Sequence, residues 1–198
     1  MTDTIAYYDQ NAEAFIAGTV AVDFRKTQEK FLAFLPEKAR ILDFGCGSGR
    51  DAAYFHRKGY QVEAVDDSAK MCEFASRYAK VPVRQMLFQD LTEKDRYDGI
   101  WACSSILHLP LQELKEVMER MLQALRENGV IYTSFKYGEF EGVRRGRYFT
   151  DFTEESFGRF LEEFDGVRIR ECWATGDVRQ GRGGERWLNL ILQKSDIH

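Results

Sequence analysis

The 198-residue sequence is poor in the features that divide a chain or fasten it to something else. It has three prolines and no Pro/Ser-rich tract, low-complexity run or internal repeat, so nothing in it reads as a linker. A chain of this length suits one substantial core, and a single domain over 1–198 is expected. No apolar run approaches the length of a bilayer span, and the opening MTDTIAYYDQNAEAF lacks a basic segment followed by an apolar core. A cytoplasmic protein with no membrane partner is the expectation. The four cysteines, Cys46, Cys72, Cys103 and Cys172, form no C-x-x-C pair and have no histidine at zinc spacing, which points to free thiols and no metal site. Nor is there a surplus of positive charge. With 28 basic and 32 acidic residues the net charge is -4, which argues against a protein that coats nucleic acid or anionic lipid.

What the sequence does have is an alternation of short apolar runs with amphipathic stretches. ARILDFG, QVEAVDD, PVRQMLFQD, YDGIWACSS and GVIYTSFKYG read as five strands bounded by Gly or Asp. SGRDAAYFHRKG and SAKMCEFASRYAK, the latter opening at Ser68 as an N-cap, read as crossover helices. The clearest helix is PLQELKEVMERMLQALRENG, with Pro110 at its first position, Leu111, Leu114, Met118, Met121 and Leu125 on one face, and Asn128-Gly129 at its end. TEESFGRFLEEF places Phe157, Phe160, Leu161 and Phe164 together. VRIRECWA and RWLNLILQKS, joined by TGDVRQGRGGE, suit a terminal antiparallel hairpin. Right-handed crossovers then give an α/β fold, a Rossmann-like seven-stranded, mostly parallel sheet with an antiparallel last strand and helices on both faces.

The stretch ILDFGCGSGRDA closes an apolar run on Gly45, Gly47 and Gly49. No lysine follows the glycines, so a Walker-type triphosphate loop is excluded, and Arg50 stands where a dinucleotide loop wants its third glycine. Glycines at 45 and 47 let the backbone turn and approach a ligand, and the next helix aims its amides at an anion for which one carboxylate suffices. Asp66, at the tip of the second strand, is placed to accept ribose hydroxyls. Asp90, after the third, is placed to accept from an adenine amino group.

ILDFGCGSG, VEAVDDS, FQDL and YDGIWACSSILHLP, followed by an amphipathic helix and GVIYTSF, occur in that order over residues 38 to 135. In this the chain resembles the class I S-adenosylmethionine-dependent methyltransferases, and among them the small bacterial tellurite-resistance and ubiquinone-biosynthesis types. The resemblance implies an enzyme with S-adenosyl-L-methionine as cofactor and a helical lid over 1–37. It also implies a cofactor-binding core over 38–135 and an acceptor side with the C-terminal hairpin over 136–198. It implies that Gly45, Cys46 and Gly47 line the methionine moiety, with Asp43 beneath them. Asp66 binds the ribose beside Asp67 and Ser68, Gln89, Asp90 and Leu91 frame the adenine, and Cys103 and Ser104 lie near the sulfonium.

The methyl acceptor belongs at the carboxyl ends of the strands. Tyr7 and Tyr8 of the lid, Lys136, Arg145, Arg147 and Tyr148 are its candidate binders. Arg144, Arg179, Arg182 and Arg186 lie on the same two loops and add to a cluster suited to a carboxylate or phosphate. His108 is the one histidine near the reaction centre and the candidate general base. The expected acceptor is a small molecule, anionic if those arginines face the pocket, methylated by in-line displacement. A nucleic acid base as acceptor, or a non-catalytic cofactor-binding protein, are the alternatives. The sequence carries no sign of an oligomeric state.

Overall fold

A computed structural model of the chain describes residues 2–177 and 184–195. The N-terminal region, expected as a lid, forms three helices, α1 (Thr2–Gln10), α2 (Ala12–Thr19) and α3 (Arg25–Leu32). The core then alternates β1 (Arg40–Phe44), α4 (Arg50–Arg57), β2 (Gln61–Asp66), α5 (Ala69–Ala79), β3 (Val83–Gln85), β4 (Tyr97–Ala102), α6 (Leu111–Ala124) and β5 (Leu125–Lys136). A separate hairpin, β6 (Glu141–Arg144) and β7 (Arg147–Thr150), precedes α7 (Glu154–Leu161), β8 (Val167–Gly176) and β9 (Arg186–Lys194). Among the described residues no helix is long and apolar enough to cross a membrane.

The main sheet has seven strands in the order β3-β2-β1-β4-β5-β9-β8, the expected Rossmann-like arrangement. β1 through β5 pair in parallel, and β9 is the reversed strand, antiparallel to both β5 and β8. The chain winds outward from β1 to β3 and then returns to β4 on the other side of β1. A crevice therefore opens at the carboxyl ends of β1 and β4, where the order reverses.

Alternation along each strand feeds two cores. Leu42, Phe44, Ile100, Ile131, Phe135 and Leu190 face α6 and α7. Ile41, Ala64, Trp101, Val130, Tyr132 and Ile191 face α3, α4 and α5. Trp101, fully buried, stacks on Tyr132 with ring centres 4.0 Å apart. The Tyr132 hydroxyl donates to Asn189 Oδ1 (2.8 Å), which ties β5 to β9 through the core.

Three local expectations change. The helix expected to run to Asn128-Gly129 stops at Ala124, because the backbone N–H groups of Asp95 and Arg96 donate to the carbonyls of Gln123 and Ala124 (both 2.9 Å). These bonds satisfy carbonyls that another helical turn would have used, and Leu125 goes straight into β5 opposite Tyr97. The third strand is only three residues long, and Phe88–Asp90 forms a single 3-10 turn after it. The arginine-bearing segment after β5 is not an open loop; it is the β6–β7 hairpin, with its turn at Arg145 and Gly146.

Candidate active site

The glycine loop is built by its neighbours. Gly45 and Cys46 both donate to the carbonyl of Val65 (2.9 Å each), which stitches the end of β1 to that of β2. Gly45 adopts φ +84°, and a Cβ there would lie 2.4 Å from that of Ser105, so only glycine fits. Gly47 donates its N–H to the Asp66 carboxylate (2.8 Å), and Ser68 donates to the other carboxylate oxygen (3.0 Å). Burial, with Asp67 beside it, pushes the Asp66 pKa up to about 7. Asp43 sits below the loop and accepts from the N–H of Ala52 (3.0 Å), holding the first turn of α4. Burial and then the nearby Asp51 raise its pKa well above the usual range.

Two joined cavities open at this end of the sheet. The first lies between the glycine loop and α1, over Gly45, Gly47, Asp66, Asp67, Met71 and Phe88, with Thr4, Tyr8 and Phe15 of the lid as its roof. Phe15 lies against the glycine loop: a Cβ at Gly47 would meet its ring at 3.1 Å. The second cavity runs on past Cys46, Gly47 and Ser104 toward the hairpin and the ends of β5 and β9, where Lys136, Arg147, Phe149, Trp187 and Asn189 line it. Tyr8, Phe15, Gly47, Ser104 and His108 belong to both.

Three side chains with fixed positive charge face the second cavity: Arg50, Lys136 and Arg147. Arg50 holds Asp51 through two bonds of 2.8 Å and lies over the ring of Phe24 at 4.8 Å. Asp51 also accepts from Gln28 (2.6 Å) and from the Trp101 indole (2.9 Å), so it is fixed from three sides. Lys136 pairs with Glu185, has Asp177 at 4.0 Å, and covers the Trp187 ring at 4.2 Å. Arg147 is different. Among the described residues it has no carboxylate partner, its NH1 donates to the Tyr8 hydroxyl (3.2 Å), and its Nε is buried without a hydrogen bond.

His108 is fixed on both sides. Its Nδ1 lies 2.7 Å from the Tyr148 carbonyl, which only accepts, so Nδ1 carries the proton. Nε2 is then the acceptor and receives the Tyr8 hydroxyl proton at 2.8 Å. Burial lowers the His108 pKa to about 4, and the neighbouring Arg147 adds to that. The expected general base is thus a neutral imidazole with its lone pair already engaged.

The other expected site residues divide into two groups. Gly45, Cys46, Gly47, Asp66, Asp67, Cys103, Ser104, Tyr8, Lys136 and Arg147 line the cavities. Asp43 is structural, and Ser68 caps α5 while donating to Asp9 of the lid (2.5 Å). Gln89, Asp90 and Leu91 do not line either cavity. Gln89 donates to Glu113 (2.7 Å), Asp90 is exposed, and Leu91 is buried in the core, because the 3-10 turn presents Phe88 to the cleft instead. Tyr7 stands behind Tyr8 against Arg147, Arg145 is exposed at the hairpin turn, and the Tyr148 hydroxyl points away to Glu141 (3.0 Å). Arg144 pairs with Asp151 (2.6 Å), and Arg186 lies on Tyr137 (4.1 Å). Arg179 and Arg182 fall outside the described residues. Sequence reasoning missed Arg50, Phe15, Phe24 and Trp187 as lining residues; only Arg50, next to the last loop glycine, carried a local signal.

The lining fits an adenosyl sulfonium compound with an amino-acid tail. Asp66 accepts from the backbone of Gly47 and Ser68 and keeps acceptor capacity for hydroxyls, and the glycines leave room at the loop. Arg50 stands beside the loop as a guanidinium for a carboxylate.

Residues 41–129 match the family model for a methyltransferase domain. The chain is similar to YqeM of Bacillus subtilis (strain 168), which bears the name of a methyltransferase: 32% identical over 120 residues, 54% of this chain and 48% of that protein. The chain spans about half or less of the length of the curated relatives it matches. In fold it is similar to the Burkholderia thailandensis 1,6-didemethyltoxoflavin-N1-methyltransferase, solved with 1,6-didemethyltoxoflavin and S-adenosylhomocysteine. That likeness has a TM-score of 0.78 at 22% identity and covers 98% of this chain and 87% of that one. It is also similar to the cyclase SpnF, with TM-score 0.74 at 15% identity, covering 96% and 94%. A shared fold leaves the reaction to be argued from the site.

Proposed function

We propose that this chain, a member of the methyltransferase-domain family over residues 41–129, binds S-adenosylmethionine at the Gly45–Asp66 cleft and methylates a small molecule that carries an ionised acid group. When bound, the cofactor supplies an electrophilic methyl group on a positively charged sulfur, open to in-line displacement. The residues that would hold it are Asp66 for the ribose hydroxyls, the backbone of Gly45 to Gly47 for the amino-acid portion, and Arg50 for its carboxylate. Asp67 lies beside the ribose position, Ser104 stands where the two cavities join, and Cys103 lines the second.

The observation that carries the acceptor's class is the lack of a carboxylate at Arg147 among the described residues, not a net charge of the cavity, since Asp51 lies at Arg50 and both Asp177 and Glu185 lie at Lys136. A half-buried guanidinium without a countercharge favours an anionic group from outside, held through parallel N–H bonds.

His108 does not need to accept a proton for this chemistry. Orientation supplies the main part of the barrier reduction in such a displacement. His108 fixes Tyr8 by accepting its hydroxyl proton, and Tyr8 with Phe15 forms the wall between donor and acceptor space. The aromatic walls exclude water from the reacting atoms. The 1,6-didemethyltoxoflavin methyltransferase offers a precedent for a small-molecule acceptor on this fold.

The test is to incubate the purified protein with methyl-labelled S-adenosylmethionine and a small-molecule extract, then read S-adenosylhomocysteine and labelled product by mass spectrometry. The proposal expects both, with the product retained on an anion exchanger. Cofactor binding without product in any fraction would favour a binding protein and reject the enzyme.

A further inference from the structure

Helix α1 is fastened at both cavities. On the donor side, Asp9 receives the Ser68 hydroxyl (2.5 Å), and its carbonyl receives Lys70 Nζ (2.8 Å). On the acceptor side, the Tyr148 N–H donates to Thr4 Oγ1 (3.3 Å), and Arg147 donates to the Tyr8 hydroxyl (3.2 Å). The Arg147 guanidinium lies 4.7 Å from the Tyr7 ring centre, 5.8 Å from that of Tyr8 and 5.1 Å from that of Phe149. Two of those three rings belong to the lid.

Rings hold a guanidinium in place and strip its water, but they do not neutralise it. Its buried Nε has no partner among the described residues, so the guanidinium is under-satisfied where it stands. Flat apolar surface is close by, since Phe24, Phe149 and Trp187 line the same cavity.

We infer that Arg147, Tyr7 and Tyr8 form a composite seat for the ionised edge of a flat aromatic acceptor, complete only while α1 lies closed over the donor cleft. This rests on the methyltransferase reading and adds a regulation to it. An anion seated on Arg147 favours the closed lid, and a donor beneath the lid favours the same state. Two ligands that prefer one state must raise each other's affinity. The acceptor's charge thereby retains the donor until both are in place.

The test is calorimetric titration of S-adenosylhomocysteine, alone and with saturating benzoate, salicylate or 2-naphthoate, and with the matching neutral amides. At least one carboxylate should tighten S-adenosylhomocysteine about fivefold or more, the lower end of ordinary allosteric coupling, and its amide should not. Arg147→Met should abolish the tightening while still binding S-adenosylhomocysteine. Arg147→Lys, which keeps the charge but not the planar fork, should weaken it. No tightening by any of the three carboxylates, equal tightening by an amide, or full tightening in either variant would overturn the seat. Failure of the wild-type protein to bind S-adenosylhomocysteine would instead reject the donor reading beneath it.

Discussion

Asp66 gives the donor cleft a pH dependence whose sign follows from its surroundings. Burial and the adjacent Asp67 raise its pKa to about 7, against an ordinary carboxylate value of 3.8. Ribose hydroxyls donate to the ionised form, so protonating Asp66 competes with the donor. Each pH unit below 7 should weaken S-adenosylhomocysteine about tenfold, since one unit is about 1.4 kcal/mol of difference between the two protonation states. Above pH 8 the affinity should level off. Stability of the free protein runs the opposite way. A carboxylate with a raised folded-state pKa binds more protons folded than unfolded between about pH 4 and 7. Its contribution is present in full at low pH and is lost as pH rises through 7. The melting temperature gained on adding ligand should therefore grow from pH 6 to pH 8. Calorimetric titrations from pH 5.5 to 8.5, with Asp66→Asn as the non-titrating control, read the affinity. An affinity flat across pH 6 to 8 in the wild-type protein, or an equal slope in Asp66→Asn, would refute the assignment.

Gly45→Ala should cost about 2–5 kcal/mol in chemical denaturation, from positive φ together with overpacking against Ser105. Gly59→Ala, also at positive φ but facing open space, should cost about 1–2 kcal/mol, and equal losses at the two sites would count against the clash. Arg50→Met should raise the donor KM about tenfold or more, in keeping with one lost charge-assisted hydrogen bond to a carboxylate, and should also lower stability to urea by about 3–5 kcal/mol, because it leaves the buried Asp51 without its cation. A KM unchanged beside a lower kcat would place Arg50 elsewhere in the mechanism. With the His108 pKa held near 4, a His108→Gln variant should show the same pH–rate shape as wild type between pH 5.5 and 8. The variant should still lower kcat, because it loosens Tyr8. Loss of a limb in that range would restore His108 as a titrating base.

The sheet was legible because its signals are local and repeated. ILDFG, VEAVDD and YDGIWA each show an apolar run closing on a turn residue, and the structure places β1, β2 and β4 there. The terminal hairpin and its reversed strand were equally plain. Where expectation and structure part, a contact distant in sequence decides. Asn128-Gly129 looks like a helix end, but the N–H groups of Asp95 and Arg96 cap the carbonyls of α6 first. FQDL looks like a strand end that presents its acid, but the 3-10 turn shows Phe88 to the cleft and leaves Asp90 outside.

In the donor half, Gly45, Gly47 and Asp66 line the cleft at the ends of β1 and β2, whereas Gln89, Asp90 and Leu91, expected after β3, do not. The acceptor half draws on α1, the β6–β7 hairpin and the ends of β5 and β9, so no spacing in the chain announces it. Arg145 and Arg147 look alike in RRGRYF, yet one is exposed at the turn and the other enters the cavity. Arg145 sits in the turn itself at φ +51°, whereas Arg147 opens β7, and the hairpin carried no turn signal strong enough to reveal it.

The most direct measurement is the titration of the wild-type chain with S-adenosylhomocysteine at pH 8, with NAD as competitor. The account predicts one site per chain, weakened by Asp66→Asn and unaffected by the dinucleotide. Absence of binding, or displacement by NAD at comparable concentration, would contradict it.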